Sequence, residues 1–233
     1  MSWLDSPLLA LDTESTGTDP TEARIVQITV GMSVGPGDWH PWTRIVNPGV
    51  PIPDAAAKIH GYTDTRVQTE GTTPSAALAK AYATLTDTAH RGIPVVAHNA
   101  AYDLTLLDRE FRRHLGEPLP TGLIVLDTLV LFRRFDWTTG GRSLSKLAER
   151  HGITFPAHDA EADALASLRL LHVLGGMNDL LPLIQPATLH DAQRGWWTRQ
   201  QDAAEAHALG NGTPFTRQDH WPHIPATTEE IAA

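Results

Sequence analysis

Four acidic residues and one histidine have the types and spacing of a cation-binding site. Asp12 and Glu14 follow the apolar run LLAL. Asp103 lies in VVAHNAAYDLTLL, and Asp163 lies in PAHDAEADAL, five positions after His158. Side chains of a strand alternate between its two faces, so the carboxylates of Asp12 and Glu14 lie on the same side. We therefore expect them to share one cation.

The acidic set also predicts a cofactor and a class of reaction. Carboxylates held close together repel one another, and each would gain a proton unless a divalent cation neutralised the site. Mg²⁺ and Mn²⁺ both prefer hard oxygen ligands. A pair of such ions about 3.5–4 Å apart can bind the attacking and the leaving oxygen of a phosphoryl displacement. We therefore predict two divalent cations, Mg²⁺ or Mn²⁺, and hydrolysis of phosphodiesters.

Three motifs in the chain resemble, in order, those of the DEDDh family of 3′-to-5′ exonucleases. This family includes the proofreading epsilon subunit of bacterial replicases, RNase T and oligoribonuclease. The sequence DTESTG at 12–17 resembles the first motif, and HNAAYD at 98–103 resembles the second. His158 and Asp163 resemble the third motif. The resemblance covers about residues 8–175.

Two shorter segments agree with the same family, and one position departs from it. IHGYT at 59–63 resembles the family's I-x-G-I-T segment, and LDT at 126–128 resembles the strand end that opens its next helix. The third motif of the family often has Arg or Lys just before its histidine, whereas Pro156 and Ala157 precede His158 here. Neither residue can supply the phosphate contact of a cation at that place.

The resemblance implies a role for each acid. It implies that Asp12, Glu14 and Asp163 hold the cation that activates water. It also implies that Asp12 helps to bridge to the second cation and that Asp103 completes the site directly or through water. His158 is either a loop histidine near a helix start or the general base. Free imidazole titrates near neutral pH, which suits removal of a proton from water, so we predict that His158 is the base.

Five further residues are predicted to bind the substrate or to order the site: Thr13, Thr16, Gly17, His98 and Asn99. Glycine permits close approach, so backbone N–H groups near Gly17 can hold a terminal 3′-hydroxyl or phosphate. His98 follows an apolar strand end, where we expect it to order the site or the substrate rather than to bind metal.

Basic side chains form two groups outside these motifs. Arg109, Arg112 and Arg113 are predicted to form a solvated helix face. The second group flanks a glycine-containing loop and consists of Arg133, Arg134, Arg142 and Lys146, with Trp137 among them. This second group either lies free in solvent or follows the backbone of a single strand.

Composition excludes several classes of protein. The chain has 233 residues, 41% of them hydrophobic, which is enough to bury the core of one domain with an appended segment. It has no cysteine, so disulfides, zinc–thiolate sites and thiol catalysis are excluded. The net charge of −9 argues against broad adsorption to nucleic acid, but an enzyme that grips only an end needs fewer cations. No signal or membrane-spanning segment is apparent, so we expect no membrane partner and a cytoplasmic location.

Hydrophobic periodicity predicts an α/β protein. Apolar β-rich runs predict five strands, over residues 7–12, 24–34, 39–47, 94–97 and 123–126. Helical patterns follow over residues 74–89, 101–115, 128–135, 144–151 and 159–174. Three consecutive strands followed by helix–strand alternation indicate an antiparallel meander plus parallel strands, flanked by helices. Together with the family resemblance, this predicts a ribonuclease H-like mixed five-stranded sheet.

The chain is expected to divide into an exonuclease domain at 1–176 and a helical C-terminal extension at 177–233. The extension has a helical pattern over 187–209 and becomes rich in Gly, Asn, Pro and Thr from residue 210, which predicts a loosely ordered tail. Docking on the core is predicted through one helix face, made of Leu189, Ala192, Trp196 and Ala203, rather than base stacking by Trp196 and Trp197. Trp221 is predicted to anchor a partner or to act as an intramolecular latch.

These patterns favour a 3′-to-5′ exonuclease that releases nucleoside 5′-monophosphates from single-stranded DNA. The setting expected is proofreading or repair, with a DNA polymerase or a repair protein as partner. An RNA exonuclease of the oligoribonuclease or RNase T kind is the main alternative, since the motifs do not distinguish the sugar. A catalytically weak nucleic-acid-binding module associated with a polymerase is the other alternative, which the intact acidic set disfavours.

Overall fold

One mixed sheet of five strands organises the protein. The computed structural model describes residues 2–35, 37–136, 138, 140–228 and 230, so the prediction for Trp137 lies outside the described residues. The strands are β1 (Leu8–Ser15), β2 (Ile25–Ser33), β3 (His40–Ile45), β4 (Val95–Ala97) and β5 (Val125–Asp127). Their order in the sheet is β3-β2-β1-β4-β5. β1, β2 and β3 are antiparallel, and β4 and β5 run parallel to β1, which confirms the predicted sheet.

Helices of the described residues flank this sheet on both faces. They are α1 (Asp54–His60), α2 (Asp64–Glu70), α3 (Pro74–His90), α4 (Ala100–Leu115), α5 (Thr128–Phe135), α6 (Leu144–Arg150), α7 (Ala160–Met177) and α8 (Pro186–Asn211). The sequence patterns did not predict α1 and α2. Each of these two has seven residues and buries a single side chain, His60 in α1 and Val67 in α2, so neither shows an apolar period. No helix in the described part of the chain is both long and apolar enough to cross a bilayer.

The strand β1 lies in the centre of the sheet and has helices on both sides. Leu9 and Leu11 pack into a core that includes α3 and α4, whereas Leu8 and Ala10 pack into a second core that includes α5 and α7. Burial on both faces explains the continuous apolar run that precedes Asp12. The same alternation directs Thr13 towards α4, and Asp12 and Glu14 towards α7.

The helix α8 covers the edge of the sheet at β5. The backbone N–H of Val125 donates to His190 Nδ1 at 3.0 Å, and the N–H of Asp127 donates to Gln193 Oε1 at 2.8 Å. Gln193 Nε2 in turn donates to the carbonyl oxygen of Val125 at 2.8 Å. Side chains of α8 thus satisfy backbone groups that an uncovered edge strand would expose.

The docked face of α8 differs from the predicted face. Its buried residues are Leu189, Gln193, Trp197, Gln201 and Ala208. Trp196 is half-buried and packs against both cores, whereas Ala203 is exposed, so the prediction of docking is confirmed and the predicted face is wrong at Ala203. Gln193 and Gln201 belong to the buried face because their side chains accept hydrogen bonds from backbone N–H groups. A helix face predicted from apolar residues alone does not include them.

Two expectations about exposed segments also differ from the structure. The tail after α8 has little regular structure among its described residues, yet Trp221 is 3% exposed because its indole packs in the core beside His190. Arg109, expected on a solvated face, is 4% exposed, so that prediction is wrong for this residue. Helix α4 buries the carboxylate of Asp108, and Arg109 Nη1 lies 2.8 Å from it. The division of the chain at residue 176 stays a prediction.

Candidate active site

The end of β1 carries the first two acids. Strand β4 pairs with β1 only at Leu9 and Ala10, so Asp12 and Glu14 project beyond the last paired residue of β4. On the other side of β1 they are opposite Thr29 and Gln27 of β2. Strand β2 therefore fixes the backbone of Asp12 and Glu14. On the β4 side their backbone is unpaired, which leaves room there for groups from the helices.

The amino-terminal turn of α4 supplies the third acid. Asn99, just before the helix, has a left-handed backbone (φ 67°), which turns the chain sharply out of β4. Asp103 follows in the first turn and is 4% exposed. Its Oδ1 accepts a hydrogen bond of 2.6 Å from the Thr13 hydroxyl, which ties α4 to β1.

The start of α7 supplies the fourth acid and the histidine. Asp159 caps the helix by accepting from the N–H of Ala162 at 3.1 Å. Gln27 of β2 holds this cap from both sides, because its Nε2 donates to Asp159 Oδ2 at 3.1 Å and its Oε1 accepts from the N–H of Ala160 at 2.8 Å. Asp163 then faces the end of β1. No motif singled out Gln27; its place opposite Glu14 in the antiparallel pair is the only signal for it.

His158 lies directly before this helix with its ring exposed. Its backbone is left-handed (φ 67°), and its N–H donates to Asp163 Oδ2 at 3.2 Å. A left-handed backbone is uncommon for a residue other than glycine and is retained where the surroundings impose it. Here it keeps the imidazole beside the acids.

All five predicted residues line one open cavity of about 550 Å³: Asp12, Glu14, Asp103, His158 and Asp163. Ligand atoms of Glu14, His158 and Asp163 lie within 4.8 Å of one another. Three elements that are distant in sequence therefore bring their polar groups to one point at the end of β1.

Burial and mutual repulsion raise the pKa values of these acids. Burial, followed by the charges of Asp163 and Asp103, raises the pKa of Glu14 to about 8. Burial also raises the pKa of Asp103 to about 7, although the Thr13 hydroxyl opposes the rise. Burial raises the pKa of Asp163 to about 7, although the hydrogen bond from the N–H of His158 lowers it. The pKa of Asp12 lies well above its usual value for the same reason, with Asp103 as its strongest charged neighbour.

The donor set fits a hard divalent cation. Within the described part of the chain, Asp163 Oδ1 is buried and has no hydrogen-bond partner. A buried carboxylate oxygen without a partner is costly, and a cation would satisfy it. Oxygen atoms from four carboxylates are the ligands that such ions prefer, so the cluster is a candidate site for divalent metal.

Comparison with known proteins places this chain in a family. The sequence profile of the RNase_T exonuclease family matches residues 9–171. The chain belongs to this exonuclease family. The predicted DEDDh exonuclease resemblance and the predicted enzyme class are thereby confirmed.

Curated relatives of this exonuclease are much longer proteins. A DNA polymerase III subunit epsilon-like protein of Rhodobacter capsulatus is 35% identical over an alignment of 185 residues, which covers 71% of this chain and 24% of that protein. A PolC-type DNA polymerase III of Streptococcus thermophilus is 26% identical over 72% of this chain and 11% of its own length. The 3′-5′ exonuclease DinG of Staphylococcus saprophyticus is 37% identical over 40% of this chain and 10% of its own length. The chain thus spans about a quarter or less of these relatives.

Solved structures share the fold. Escherichia coli exonuclease I in complex with a dT13 oligonucleotide has a TM-score of 0.63 and 20% identity, covering 76% of this chain and 42% of that one. Exonuclease X in complex with 5′ overhanging duplex DNA has a TM-score of 0.58 and 23% identity, covering 80% of this chain and 99% of that one. The predicted ribonuclease H-like α/β fold is confirmed.

In this exonuclease His98 is held on both sides of its ring. Its Nε2 lies 3.0 Å from the carbonyl oxygen of Arg142, and its Nδ1 lies 2.8 Å from the Thr128 hydroxyl. Burial lowers the pKa of His98 to about 4, so the ring is neutral, donates from Nε2 and accepts at Nδ1. The ring therefore ties the loop before α6 to the wall of the acidic cavity.

A second cavity of about 630 Å³ adjoins the acidic one, and the two share Thr13, Glu14, Asn99 and Tyr102. The other predicted binding residues, Thr16 and Gly17, line it as well. Its far wall is α1, where Ile59 is 57% exposed and His60 Nε2 lies 3.2 Å from the carbonyl oxygen of Ser15. This mostly apolar cavity has room for a nucleoside next to the acids.

Tyr102 anchors the turn between these cavities. Its hydroxyl hydrogen-bonds to the carbonyl oxygen of Gly17 and to the Ser15 hydroxyl. The sequence patterns assigned no role to Tyr102, although it directly precedes Asp103. The tyrosine thus joins the first and second motifs, and it sets the position of the Gly17 backbone.

The second basic group divides into two parts. Arg133 and Arg142 line the acidic cavity opposite the carboxylates. Arg133 makes no hydrogen bond or ion pair with any other described residue, whereas Arg142 Nη2 donates to the carbonyl oxygen of Asp136 at 2.9 Å. Arg134 instead lies over the rings of Phe135 and Trp196, at 5.3 and 5.5 Å.

Proposed function

We propose that this exonuclease hydrolyses single-stranded DNA from its 3′ end and releases nucleoside 5′-monophosphates. The observation that carries the proposal is the meeting of four carboxylates and His158 in one open cavity. Buried acids that repel one another are costly in a fold, and they are useful where cations must be held for chemistry.

The acids divide between two ions in this proposal. Asp12, Glu14 and Asp163 hold one divalent cation, and Asp12 with Asp103 holds the second, directly or through water. Mg²⁺ and Mn²⁺ are the ions proposed because every carboxylate supplies hard oxygen. When bound, the pair supplies Lewis-acid activation and neutralises charge that develops on the phosphate oxygens.

His158 acts as the general base. Its ring is exposed beside Glu14 and Asp163, within reach of a water molecule at the acids. It accepts the proton of the attacking water, and the 3′-oxygen of the preceding nucleotide is the leaving group. The N–H of His158 on Asp163 keeps the ring at the mouth of the cavity.

The second cavity receives the terminal nucleoside. Thr13, Thr16, Gly17 and Asn99 line it, and their polar groups are proposed to bind the 3′-terminal nucleotide. Arg133 and Arg142, on the opposite wall, bind the phosphate groups of the preceding nucleotides. These two arginines are proposed to replace the Arg or Lys that often precedes the histidine of the third motif in the family.

DNA is proposed as the substrate because of the relatives. Exonuclease I is similar in fold and was solved with a dT13 oligonucleotide, and the Rhodobacter relative is named for a DNA polymerase subunit. A proofreading or repair role, with a polymerase or repair protein as partner, follows from the same names. The cytoplasmic location expected from the sequence stays a prediction.

One degradation experiment tests the proposal. A 5′-labelled single strand of DNA, its duplex and an RNA of the same sequence are incubated with Mg²⁺, with Mn²⁺ and with chelator. We expect stepwise shortening of the single-stranded DNA with either ion and none with chelator. Preferred cleavage of RNA would favour the oligoribonuclease alternative, and binding without cleavage would favour the non-catalytic module.

A further inference from the structure

The described residues between 218 and 230, called the C-terminal strap here, run along α4. The N–H of Ile224 donates to the Thr105 hydroxyl at 2.9 Å. One turn further, Arg109 donates to the carbonyl oxygens of Ile224 and Pro225 at 3.1 and 3.2 Å, and its Nε lies 2.8 Å from Glu230 Oε1. Thr105 and Arg109 lie four residues apart on one face of the helix whose first turn carries Asp103.

The strap also reaches the start of α4 through a buried carboxylate. Trp221 Nε1 donates to Asp127 Oδ2 at 3.4 Å. Asp127 is 0% exposed and accepts from the N–H groups of Asn99 and Ala100, each at 3.0 Å. Its Oδ1 also accepts from the N–H of Leu129 at 2.9 Å. One carboxylate thus joins the starts of α4 and α5 to the strap.

Asp127 needs the hydrogen bond from Trp221 because its carboxylate is fully buried. A buried carboxylate is retained only when several donors satisfy it. Burial raises the pKa of Asp127, while the N–H groups of Asn99, Trp221, Val130 and Leu129 oppose the rise. The indole of Trp221 is the one donor among these four that comes from outside residues 9–171, the part matched by the exonuclease family.

We propose that the C-terminal strap is a positioning element of the active site. Trp221 acts through Asp127, and Ile224 acts through Thr105, to fix the first turn of α4 and with it the Asp103 carboxylate. The inference rests on the proposed role of Asp103 in holding a divalent cation. It assigns Trp221 to the intramolecular latch rather than to a partner-binding anchor.

The test compares the full chain with Trp221→Phe, which keeps a buried aromatic ring but removes the donor to Asp127. Hydrogen exchange is measured on peptides that cover residues 98–104, and binding of Mn²⁺ alone is measured by titration. We expect faster exchange in 98–104 and weaker Mn²⁺ binding by up to about 10-fold, the low end of the effect of outer partners on metal sites. The kcat on single-stranded DNA should fall while KM stays unchanged.

Two controls separate positioning from general loss of stability. Leu181→Val alters a fully buried side chain in the 3-10 helix Leu181–Leu183, away from α4 and the strap. Thr105→Val removes the acceptor for Ile224, whereas Thr105→Ser keeps it. We expect Thr105→Val to behave like Trp221→Phe, and we expect Leu181→Val and Thr105→Ser to leave exchange in 98–104 and Mn²⁺ affinity as in the parent.

Three results would overturn the inference. Equal changes in Trp221→Phe and Leu181→Val would show that only global stability matters. Faster exchange in 98–104 with unchanged Mn²⁺ affinity would show that the strap does not position the acids. If the parent itself bound no Mn²⁺, both the proposed function and this inference would fall; failure of the strap alone leaves a parent that binds Mn²⁺ and cleaves DNA.

Discussion

Two of the four acids of the site are held by hydrogen bonds, and the helix that carries one of them is fixed from β2. The Thr13 hydroxyl binds Asp103, the N–H of His158 binds Asp163, and Gln27 fixes the cap of the helix that carries Asp163. Hydrogen-bond partners thus set the positions of Asp103 and Asp163, while no basic side chain among the described residues neutralises the charge of the four acids. The acids can therefore bind cations without rearrangement, and their burial and mutual repulsion destabilise the fold when no cation is bound.

The first prediction follows from this cost. Asp12→Asn should reduce turnover by several orders of magnitude because it removes the proposed shared ligand of the two ions. In chelator the same variant should melt at a higher temperature than the parent, since an amide removes repulsion with four neighbouring acids. Asp191→Asn, an exposed change on α8, is the matched control and should alter neither quantity. Near-parental turnover by Asp12→Asn would contradict the assignment.

The second prediction concerns pH in the absence of divalent ions. The folded pKa values of Asp103, Asp163 and Glu14 are about 7, 7 and 8, whereas unfolded carboxyl groups titrate near pH 4. Between these values the folded state holds more protons, so its stability falls as pH rises. Melting temperature in chelator should therefore drop from about pH 5 to about pH 8. Saturating Mn²⁺ should remove most of the drop, and a flat profile in chelator would count against buried, coupled acids.

The third prediction tests His158 as base. At saturating Mg²⁺, His158→Ala should lower kcat by about 10²–10⁴-fold, the usual contribution of a general base. Binding of Mn²⁺ should be nearly unchanged, because three carboxylates still hold the ion. His207→Ala, an exposed histidine on α8, serves as control. A variant that loses Mn²⁺ binding would show that His158 is a ligand instead.

The sequence predicts the positions of the elements that carry the acids well, but it does not predict the pairs of distant residues that join one element to another. Apolar runs and caps placed β1, α4 and α7 within a few residues, and the motifs at their ends predicted the acids, because these signals lie within one element. The partners that orient the acids lie far apart in sequence: Gln27 and Asp159 are 132 residues apart, and Asp127 and Trp221 are 94 apart. Such pairs have no local period, so only the folded chain shows them.

The fourth prediction compares two adjacent arginines of α5. Arg133→Ala should raise KM for single-stranded DNA with kcat little changed, because Arg133 lines the acidic cavity and its guanidinium is available for phosphate. The slope of log affinity against log salt should become shallower by about 0.7 for one lost phosphate contact. Arg134→Ala is the matched control, since that guanidinium lies over Trp196 and Phe135. Equal effects of the two changes would show a general charge effect.

At the scale of the whole molecule, residues after 171 cover the edge of the sheet and one face of α4. Helix α8 covers the β5 edge, and the strap returns across α4 to Asp127. Both lie beyond residue 171, where the match to the exonuclease family ends. In the part of the chain that matches the family, the β5 edge is therefore covered by later residues, and the buried carboxylate of Asp127 receives one of its donors from them.

The last prediction is for deletion of residues 212–233. Composition alone predicts a harmless change, because this segment is rich in turn-forming residues and all proposed ligands lie before residue 164. The structure predicts the opposite. The deletion removes the buried indole of Trp221, the donor to Asp127, and the acceptor at Gln218 that lies 2.8 Å from Trp197 Nε1. Unfolding free energy should drop by about 3–5 kcal/mol for the lost indole alone, as for a buried Trp→Ala change.

Denaturant melts and the rate on a short DNA strand, both in Mg²⁺, measure the effect of this deletion. The matched control ends the chain at residue 226 instead, which removes Glu230 but keeps Trp221 and Ile224. That shorter deletion should cost less stability, because Glu230 is partly exposed and its pairing with Arg109 is screened by solvent. A 212–233 deletion as stable and active as the parent would show that the strap is dispensable for the core and free to bind another protein.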